Sequence, residues 1–369
     1  MNSNENNQST GVVESMARSG ISLRGDNRGY LQSDFGVQDD LSILEHADTI
    51  AERVIRNQTR GITRTVARFL VSERVLPLIA QSERLRGVVE TIFPTTLRIS
   101  KNGERVMVLM GARNHLSRTS IVPRSEMISQ VQTDIDYRRI HPVDHVDRTA
   151  QLRSRGYSFI SHIPEHFINT VYALWHPTFG WELDGVKSRA RALHDQVVIS
   201  PAKRQVWFSG LVNPTGNLVS VATAERADMR VGNGLPPVPL IESSEWSSKE
   251  EGKGYMAATN THLMAQILDD LAQVIPSPTI FAETNFMSRA HRVGLASGMK
   301  IAPNSMSGLN IPHILEQHVT VGDGHQPVGL RDFVPAYLPD EVKNVQYNAE
   351  ARNAILRSRP ERTQRGGGA

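Results

Sequence analysis

Residues 239–284 constrain the fold of this chain more than any other segment. An apolar run, PLIESSEW (239–246), leads into the stretch SSKEEGKG (247–254), which contains two glycines. In YMAATNTHLMAQILDDLAQVI (255–275), apolar residues recur every three to four positions, which predicts an amphipathic helix. The apolar run TIFAET (279–284) predicts a second strand after two prolines. A strand, a glycine turn, a long helix and another strand in this order indicate an α/β fold.

The segments on both sides add further strands and helices to the same domain. Proline is expected in the first turn of one helix, NPTG is a turn between two strands, and one helix is expected to end at a glycine. The predicted elements are strand 156–163, helix 164–175, helix 187–194, strands 205–212 and 217–224, helix 285–298 and two closing strands between 318 and 338. The sequence therefore predicts a mixed α/β (α+β) domain with an open sheet.

The regions outside this domain have different patterns. Helical spacing between 41 and 92 includes Ile62, Val66 and Leu70, and TLRISKNGERVMVLM (96–110) predicts a β-hairpin that turns at Asn102-Gly103. The predicted organisation is a flexible segment at 1–40, a helical region with a β-hairpin at 41–150, the α/β domain at 151–340 and a basic tail at 341–369.

Composition excludes several classes of protein and site. The chain has 369 residues and no cysteine, so it has no disulfide, thiolate metal site or cysteine nucleophile. A net charge of +3 is too small to indicate a nucleic-acid partner. No signal peptide or apolar run of about 18 residues is present, so we expect no membrane partner and a cytoplasmic location. His141, Asp144 and His145 match no metal-site spacing, and no metal is expected.

The order of elements over about 150–340 resembles the GNAT family of acyl-CoA N-acyltransferases. The family motif between the fourth strand and the third helix is Arg or Gln, two residues, Gly, one residue, and Gly or Ala. Here it reads KEEGKG (249–254), with lysine in the leading position. The resemblance implies a mostly antiparallel open sheet flanked by helices. An ordinary strand-to-helix turn remains the alternative interpretation of 249–254.

The resemblance implies that acetyl-CoA or another acyl-CoA is the co-substrate. Glycines allow close approach of the backbone, and the first N–H groups of a helix bind phosphate well. The groups expected to bind the pyrophosphate are the side chain of Lys249 and the backbone N–H groups of Gly252, Lys253, Gly254 and Tyr255. Asn285 is expected to cap the fourth helix, to contact the pantetheine arm, or both.

The resemblance also implies direct attack of a primary amine on the thioester, which requires a base. Glu242 is the first candidate for that base and Glu245 the second. Because these residues are three apart, a regular strand would place them on opposite faces, unless a bulge intervenes. Backbone N–H groups around Ser244 to Trp246 are expected to stabilise the oxyanion. Either carboxylate could instead lie on a solvated strand face.

Two other functions remain open at this stage. The position that often holds a tyrosine acid in the family is Gly294 here, and His291 one turn earlier is interpreted as a surface residue. This departure leaves room for a catalytically weak binding or scaffold protein on the same fold. GVKSRARALH (185–194) could dock an acyl carrier protein, although a solvated basic face is preferred. The acceptor is expected to be a small-molecule or peptide amine, and residues 41–150 cover its pocket or form a homodimer.

Overall fold

The structure is a computed structural model of the chain. It describes residues 21–23, 28–32, 45, 48–49, 52, 64–72, 89–94, 105–113, 124–179, 182–197, 203–226, 239–249, 254–275, 277–285, 288–302, 315–320 and 327–357.

The first part of the chain contributes a five-stranded sheet with the order β1-β2-β3-β5-β4. The sheet is antiparallel except for the parallel pair β2–β3. Its strands are Ile21–Leu23 (β1), Arg28–Gln32 (β2), Arg64–Ser72 (β3), Val89–Pro94 (β4) and Arg105–Arg113 (β5).

One prediction for this region is wrong. The helix expected around Ile62 to Leu70 is the strand β3, which pairs with β5 along its whole length. Short apolar runs are compatible with the helical and with the strand period, and here nine residues paired antiparallel with β5 form a strand. The second strand of the predicted hairpin lies in β5, which also pairs with β4. The first strand of that hairpin, at 96–101, and its turn at Asn102-Gly103 lie outside the described residues.

Two helices connect this sheet to the larger one, in a region for which the sequence predicted no elements. They are Arg124–Ile140 (α1) and His145–Ser154 (α2). The Asp144 carboxylate caps α2 by accepting from the backbone N–H of Asp147 at 2.8 Å. His145 follows it and is buried, with 3% of its surface exposed.

The larger sheet has eight strands and the order β11-β13-β10-β9-β8-β7-β6, with β12 paired to β13. In the described residues its pairs are antiparallel except for β9–β10. The strands are Ser158–Ile160 (β6), Val206–Val212 (β7), Leu218–Arg226 (β8), Leu240–Ser248 (β9), Thr279–Asn285 (β10), Lys300–Ile301 (β11), Leu315–Thr320 (β12) and Pro327–Tyr337 (β13).

Helices cover both faces of this sheet. Phe208 and Val221 pack with α3 and α4 on one face, whereas Trp207, Ala222 and Ile241 pack with α5 on the other. The remaining helices are Ile168–Phe179 (α3), Leu183–Val197 (α4), Tyr255–Leu271 (α5), Ala290–Ala296 (α6), Asp340–Val345 (α7) and Ala349–Leu356 (α8). A 3₁₀ turn, Glu165–Phe167, leads into α3. The predicted mixed α/β class, a mostly antiparallel open sheet flanked by helices, is confirmed.

The basic tail expected from residue 341 is wrong for its first half. Helices α7 and α8 occupy 340–356, and Tyr347 and Ile355 are fully buried in the core beside α5. Their burial explains the helices, because the apolar contact with α5 offsets the entropy of ordering a polar segment. Residues 358–369 lie outside the described part of the chain.

The glycine expected at the end of the last core helix is present and closes α6. Gly298 has φ +86°, and the N–H groups of Gly298 and Met299 donate to the carbonyls of Leu295 and Gly294 at 3.2 and 3.0 Å. This is the hydrogen-bond pattern of a Schellman motif. A Cβ at Gly298 would lie 2.7 Å from Cγ1 of Val342 on α7.

We expect Gly298→Ala to lower the free energy of unfolding by roughly 2–4 kcal/mol, the sum of about 1 kcal/mol for the left-handed backbone and the overpacking against α7. Gly216→Ala is the matched control, because Gly216 has φ +82° but open space around its Cβ position. Denaturant unfolding of both variants measures the difference. Equal losses in the two variants would show that the contact with Val342 is unimportant.

Candidate active site

An opening in the larger sheet lies between β9 and β10. The two strands pair in parallel only from Leu240↔Thr279 to Glu242↔Phe281. Beyond that point β10 continues in pairing with β13, and β9 continues to Ser248 beside β8. Beyond this point β9 and β10 do not pair with each other, which leaves a gap between the two strands.

A bulge in β9 lies beside the opening. Val221 of β8 pairs with Ser247 and Thr223 pairs with Ser244, so Glu245 and Trp246 together oppose one residue of β8. Glu245 has φ 48°, a left-handed conformation that a residue with a side chain adopts at a cost of roughly 1 kcal/mol or more. Such strain occurs often at functional sites.

The bulge is the stated exception to the expectation that Glu242 and Glu245 face opposite sides of the sheet. Glu242 lies directly across from Glu225 of β8. Arg189 of α4 contacts Glu225 at 3.4 Å and Glu245 at 3.8 Å. Because residues directly opposite each other share a face, all three carboxylates lie on the face covered by α3 and α4. The extra residue of the bulge shifts the alternation of side chains, which brings Glu245 to this face.

Glu245 is held firmly in place. Its Oε2 accepts hydrogen bonds from the hydroxyls of Thr223 and of Ser244, the latter at 3.1 Å. The indole N–H of Trp175 on α3 donates to the backbone carbonyl of Glu245 at 3.2 Å. With Arg189 at 3.8 Å, this carboxylate has three polar partners.

Glu242 has a different environment. It is 6% exposed and lies at the last paired position before the opening, opposite the Glu225 carboxylate. Glu242 is buried whereas Glu245 is partly exposed, so of the two predicted candidates Glu242 lies deeper in the fold, at the strand junction.

The basic segment of α4 is solvated at Lys187 and Arg191, as the sequence favoured, but not at Arg189. The Arg189 side chain is only 11% exposed and points to the carboxylates on β8 and β9. A buried charge is stable only with a partner, and the sheet supplies two. Lys187, in contrast, remains exposed in an ion pair with Asp184 at 3.3 Å.

The amino end of α5 lies where the sequence placed the phosphate-binding turn. Gly254 is the N-cap residue, with φ 72°, no side-chain cap and nothing within 4 Å of a Cβ position. The first intrahelical bond is from the N–H of Ala258 to the carbonyl of Gly254 at 3.1 Å. The N–H groups before Ala258 have no partner within the helix and point along its positive end. Gly252 and Lys253 lie outside the described residues.

Lys249 and Tyr255 flank this turn. Lys249 is exposed, and its backbone N–H donates to the carbonyl of Val219 at 2.9 Å. The side chain of Tyr255 is buried, and its hydroxyl is 2.6 Å from that of Tyr157. Tyr255 can therefore contribute its backbone N–H to a ligand, as predicted, while its phenol belongs to the core.

The other side of the opening is lined by Trp246. Its indole N–H donates to the hydroxyl of Ser243 at 2.9 Å. A Cβ placed on Gly294 would lie 3.6 Å from Cη2 of Trp246 and 3.8 Å from Cβ of Ala336. The indole thus extends from β9 to α6 across the gap and lies against the position where the family often has a tyrosine.

Two further predictions are wrong. Asn285 does not cap a helix, because it pairs with Phe333 as the last residue of β10, and α6 begins five residues later with Arg289 as its N-cap. His291 is not a surface residue, since only 1% of it is exposed and its Nε2 is 2.7 Å from Asp134 of α1. Burial lowers the pKa of His291, and the Asp134 carboxylate partly opposes this effect. Asp134 also pairs with Arg292 at 2.8 Å.

The described residues contain no group of three or more His, Cys, Asp or Glu side chains that could hold a metal ion. Asp144 and His145 are adjacent in the sequence, but the Asp144 carboxylate caps α2 whereas His145 is buried in the core. Within the same residues, no helix is long and apolar enough to cross a membrane.

The GNAT-like fold predicted from the sequence is present over 158–337. A first strand, two helices, a hairpin, a central strand, a glycine-initiated helix and a parallel neighbouring strand follow each other in the expected order. No protein-family model matches the sequence, and no curated protein matches it.

Structural comparison finds N-acetyltransferases. One from Staphylococcus aureus Mu50 is 13% identical, with a TM-score of 0.33, over 49% of this chain and 97% of its own. Spermidine N-acetyltransferase from Vibrio cholerae, solved with CoA and spermine, is 10% identical, with a TM-score of 0.30, over 50% and 95%. The yncA protein of Salmonella typhimurium, solved with acetyl-CoA, is 10% identical, with a TM-score of 0.32, over 49% and 92%. Similarity at this level carries no argument about the reaction.

Proposed function

We propose that the domain is an acyl-CoA-dependent N-acyltransferase that uses acetyl-CoA or a related thioester and acylates a primary amine by direct attack. The observation that carries this proposal is the parallel pair β9–β10, which opens beyond Glu242, beside a bulge and ahead of the glycine-initiated helix α5. One ligand can span these features, with its anionic end at the helix and its thioester in the gap.

The amino end of α5 supplies the binding site for the pyrophosphate. Backbone N–H groups from Gly254 onward and the helix dipole favour a negative charge there. Lys249 is exposed beside the turn and adds a positive charge. Gly252 and Lys253 belong to the same proposed site on the basis of the sequence motif. Backbone N–H groups of β9 between Ser244 and Trp246 are proposed to stabilise the oxyanion.

Glu242 is proposed to accept the proton from the attacking amine. It lies at the strand junction, on the α3–α4 face, which leaves the opposite face for α5. Glu242, Glu225 and Glu245 together with Arg189 have a formal charge of −2 when the three carboxylates are ionised, which favours a cationic small-molecule or peptide amine.

Departure of the thiolate does not require a tyrosine at residue 294. A thiol has a pKa of about 8.5, so the thiolate is a stable enough leaving group to take its proton from solvent. Tyr255 and Tyr337 are unsuited to this role. Tyr255 is bound to Tyr157, and burial raises the pKa of Tyr337, with Glu341 and Asp340 acting in the same direction.

Binding of acetyl-CoA is the first test. Ligand at a hundred times Kd stabilises the folded protein by about 2.7 kcal/mol, which a thermal-shift titration detects. We expect stabilisation of the wild type and its loss in Gly254→Asp, because the added carboxylate repels the pyrophosphate.

Gly216→Asp is the matched control, since Gly216 also has a positive φ and open space but lies in the β7–β8 turn. Both variants should lose similar intrinsic stability, and only Gly216→Asp should keep the shift. An unchanged melting temperature of the wild type at millimolar acetyl-CoA would contradict the proposed function.

A further inference from the structure

The middle of α5 carries a run of buried polar side chains, TNTH (259–262). Thr259 contacts Ser220 of β8 at 2.9 Å, and His262 contacts Ser209 of β7 at 3.0 Å. Thr261 lies 3.4 Å from Nδ1 of His145. Each of these three side chains thus has a polar partner in a different neighbouring element, as buried polar groups require.

Asn260 is the exception among the four residues of this run. It is completely buried, and its Oδ1 accepts from the hydroxyl of Ser243 at 3.3 Å, but its Nδ2 has no hydrogen-bond partner. Turning the amide over would leave Oδ1 in that place, so one polar atom lacks a partner in either orientation. A buried polar atom without a partner is destabilising by about 1–3 kcal/mol.

The unpaired amide of Asn260 lies next to the opening in the sheet. Its contact, Ser243, is the first residue of β9 beyond the pairing with β10. The same serine hydroxyl accepts from the indole of Trp246, which crosses the gap to α6. Trp246 and Asn260 are therefore connected through the Ser243 hydroxyl on the α5 side of the opening.

We propose that Asn260 is a binding residue for the acyl donor, a role that rests on the proposed function. When the indole of Trp246 leaves the gap, Nδ2 of Asn260 donates a hydrogen bond to an amide or thioester carbonyl of the donor's pantetheine arm. The unsatisfied donor of the free protein thereby gains its partner in the complex. The pyrophosphate at α5 is bound independently of this contact.

The substitution Asn260→Leu separates this role from a structural one. Leucine has a similar shape and removes the unpaired polar atom, so the melting temperature of the free protein should stay the same or rise. Its Kd for CoA should rise about 3–10-fold, the value of one lost hydrogen bond. Its Kd for 3′,5′-ADP, which carries phosphates but no pantetheine arm, should not change. Isothermal titration calorimetry with the full chain measures both.

Thr259→Val is the control on the same helix, because Thr259 has partners in Ser220 and in the carbonyl of Tyr255. It should lower the melting temperature and leave both affinities unchanged. A second variant, Trp246→Phe, removes the indole donor to Ser243 and shortens the side chain that reaches α6, and it should bind CoA more tightly than the wild type.

The results that would overturn the inference are distinct from failure of the proposed function. Wild-type affinity for CoA in Asn260→Leu, equal weakening of both probes, or weaker CoA binding by Trp246→Phe would each show that Asn260 does not contact the pantetheine arm. If the wild type bound neither CoA nor 3′,5′-ADP, the proposed function itself would fail, and the inference with it.

Discussion

Glu242→Gln is expected to lower kcat/KM by about 10²–10⁴, the usual contribution of a general base. Glutamine preserves the shape and burial of the side chain at the β9–β10 junction but cannot accept a proton. The thermal shift with acetyl-CoA should remain, because the amino end of α5 is unchanged. The assay is acetyl transfer to an amine that a screen of small amines and peptides identifies.

Glu245→Gln is the matched control, three residues away on the same strand face. Its carboxylate is already engaged by Thr223, Ser244 and Arg189. Glutamine can keep the bonds from both hydroxyls, so we expect a loss of less than about tenfold, in line with a neighbouring charge rather than a proton acceptor. The reverse order of effects would assign the base to Glu245 and contradict the structural argument from burial.

Much of the fold between 156 and 338 could be predicted because the apolar periodicity and the positions of glycine and proline indicate the same elements there. The helix after Gly254 and the strand from Leu240 occur where the apolar pattern placed them. The prediction of a helix around β3 was wrong, since RTVARFLVS is compatible with a helical period as well as with a strand period. Only its long-range partner β5 resolves the ambiguity, and local pattern contains no information about that partner.

The site shows the same division between local and distant information. The glycine turn and the strand carboxylates were found because they are adjacent in sequence to recognisable elements. The bulge at Glu245 could not be predicted from the sequence, since the segment contains no glycine at that point and the bulge is defined by the register of β9 against β8. Arg189 and Asn260 were missed in their roles because their partners are supplied by tertiary contacts across the sheet.

The free energy of unfolding is expected to fall steeply as the pH drops below about 6.5, because two histidines are buried in neutral form. Burial lowers the pKa of His262 to about 3, and Arg153 acts in the same direction. Burial likewise lowers the pKa of His145 to about 4, with Arg148 and Arg138 adding to it and Gln346 and Asp144 opposing it. Both values lie below the 6.5 of an exposed histidine.

The contacts of His262 explain why its charged form is excluded. Its Nδ1 accepts from the amide of Gln266 at 2.8 Å and lies 3.0 Å from the hydroxyl of Ser209, so the ring proton is on Nε2. A second proton on Nδ1 would face the Gln266 donor. Its ring also stacks on Phe159 with a centroid distance of 4.5 Å.

Between pH 6.5 and about 4, the unfolded chain binds a proton at each histidine that the folded protein does not. The free energy of unfolding therefore falls as the pH is lowered, by about 1.4 kcal/mol per pH unit for each histidine and by about 3 kcal/mol per pH unit for both. Urea unfolding at pH 7, 6 and 5 measures this slope. His262→Gln should be less stable at pH 7 and should lose about half of the slope, whereas His194→Gln, at an exposed position, should retain all of it. A slope that does not change in His262→Gln would show that the acid sensitivity arises from other groups.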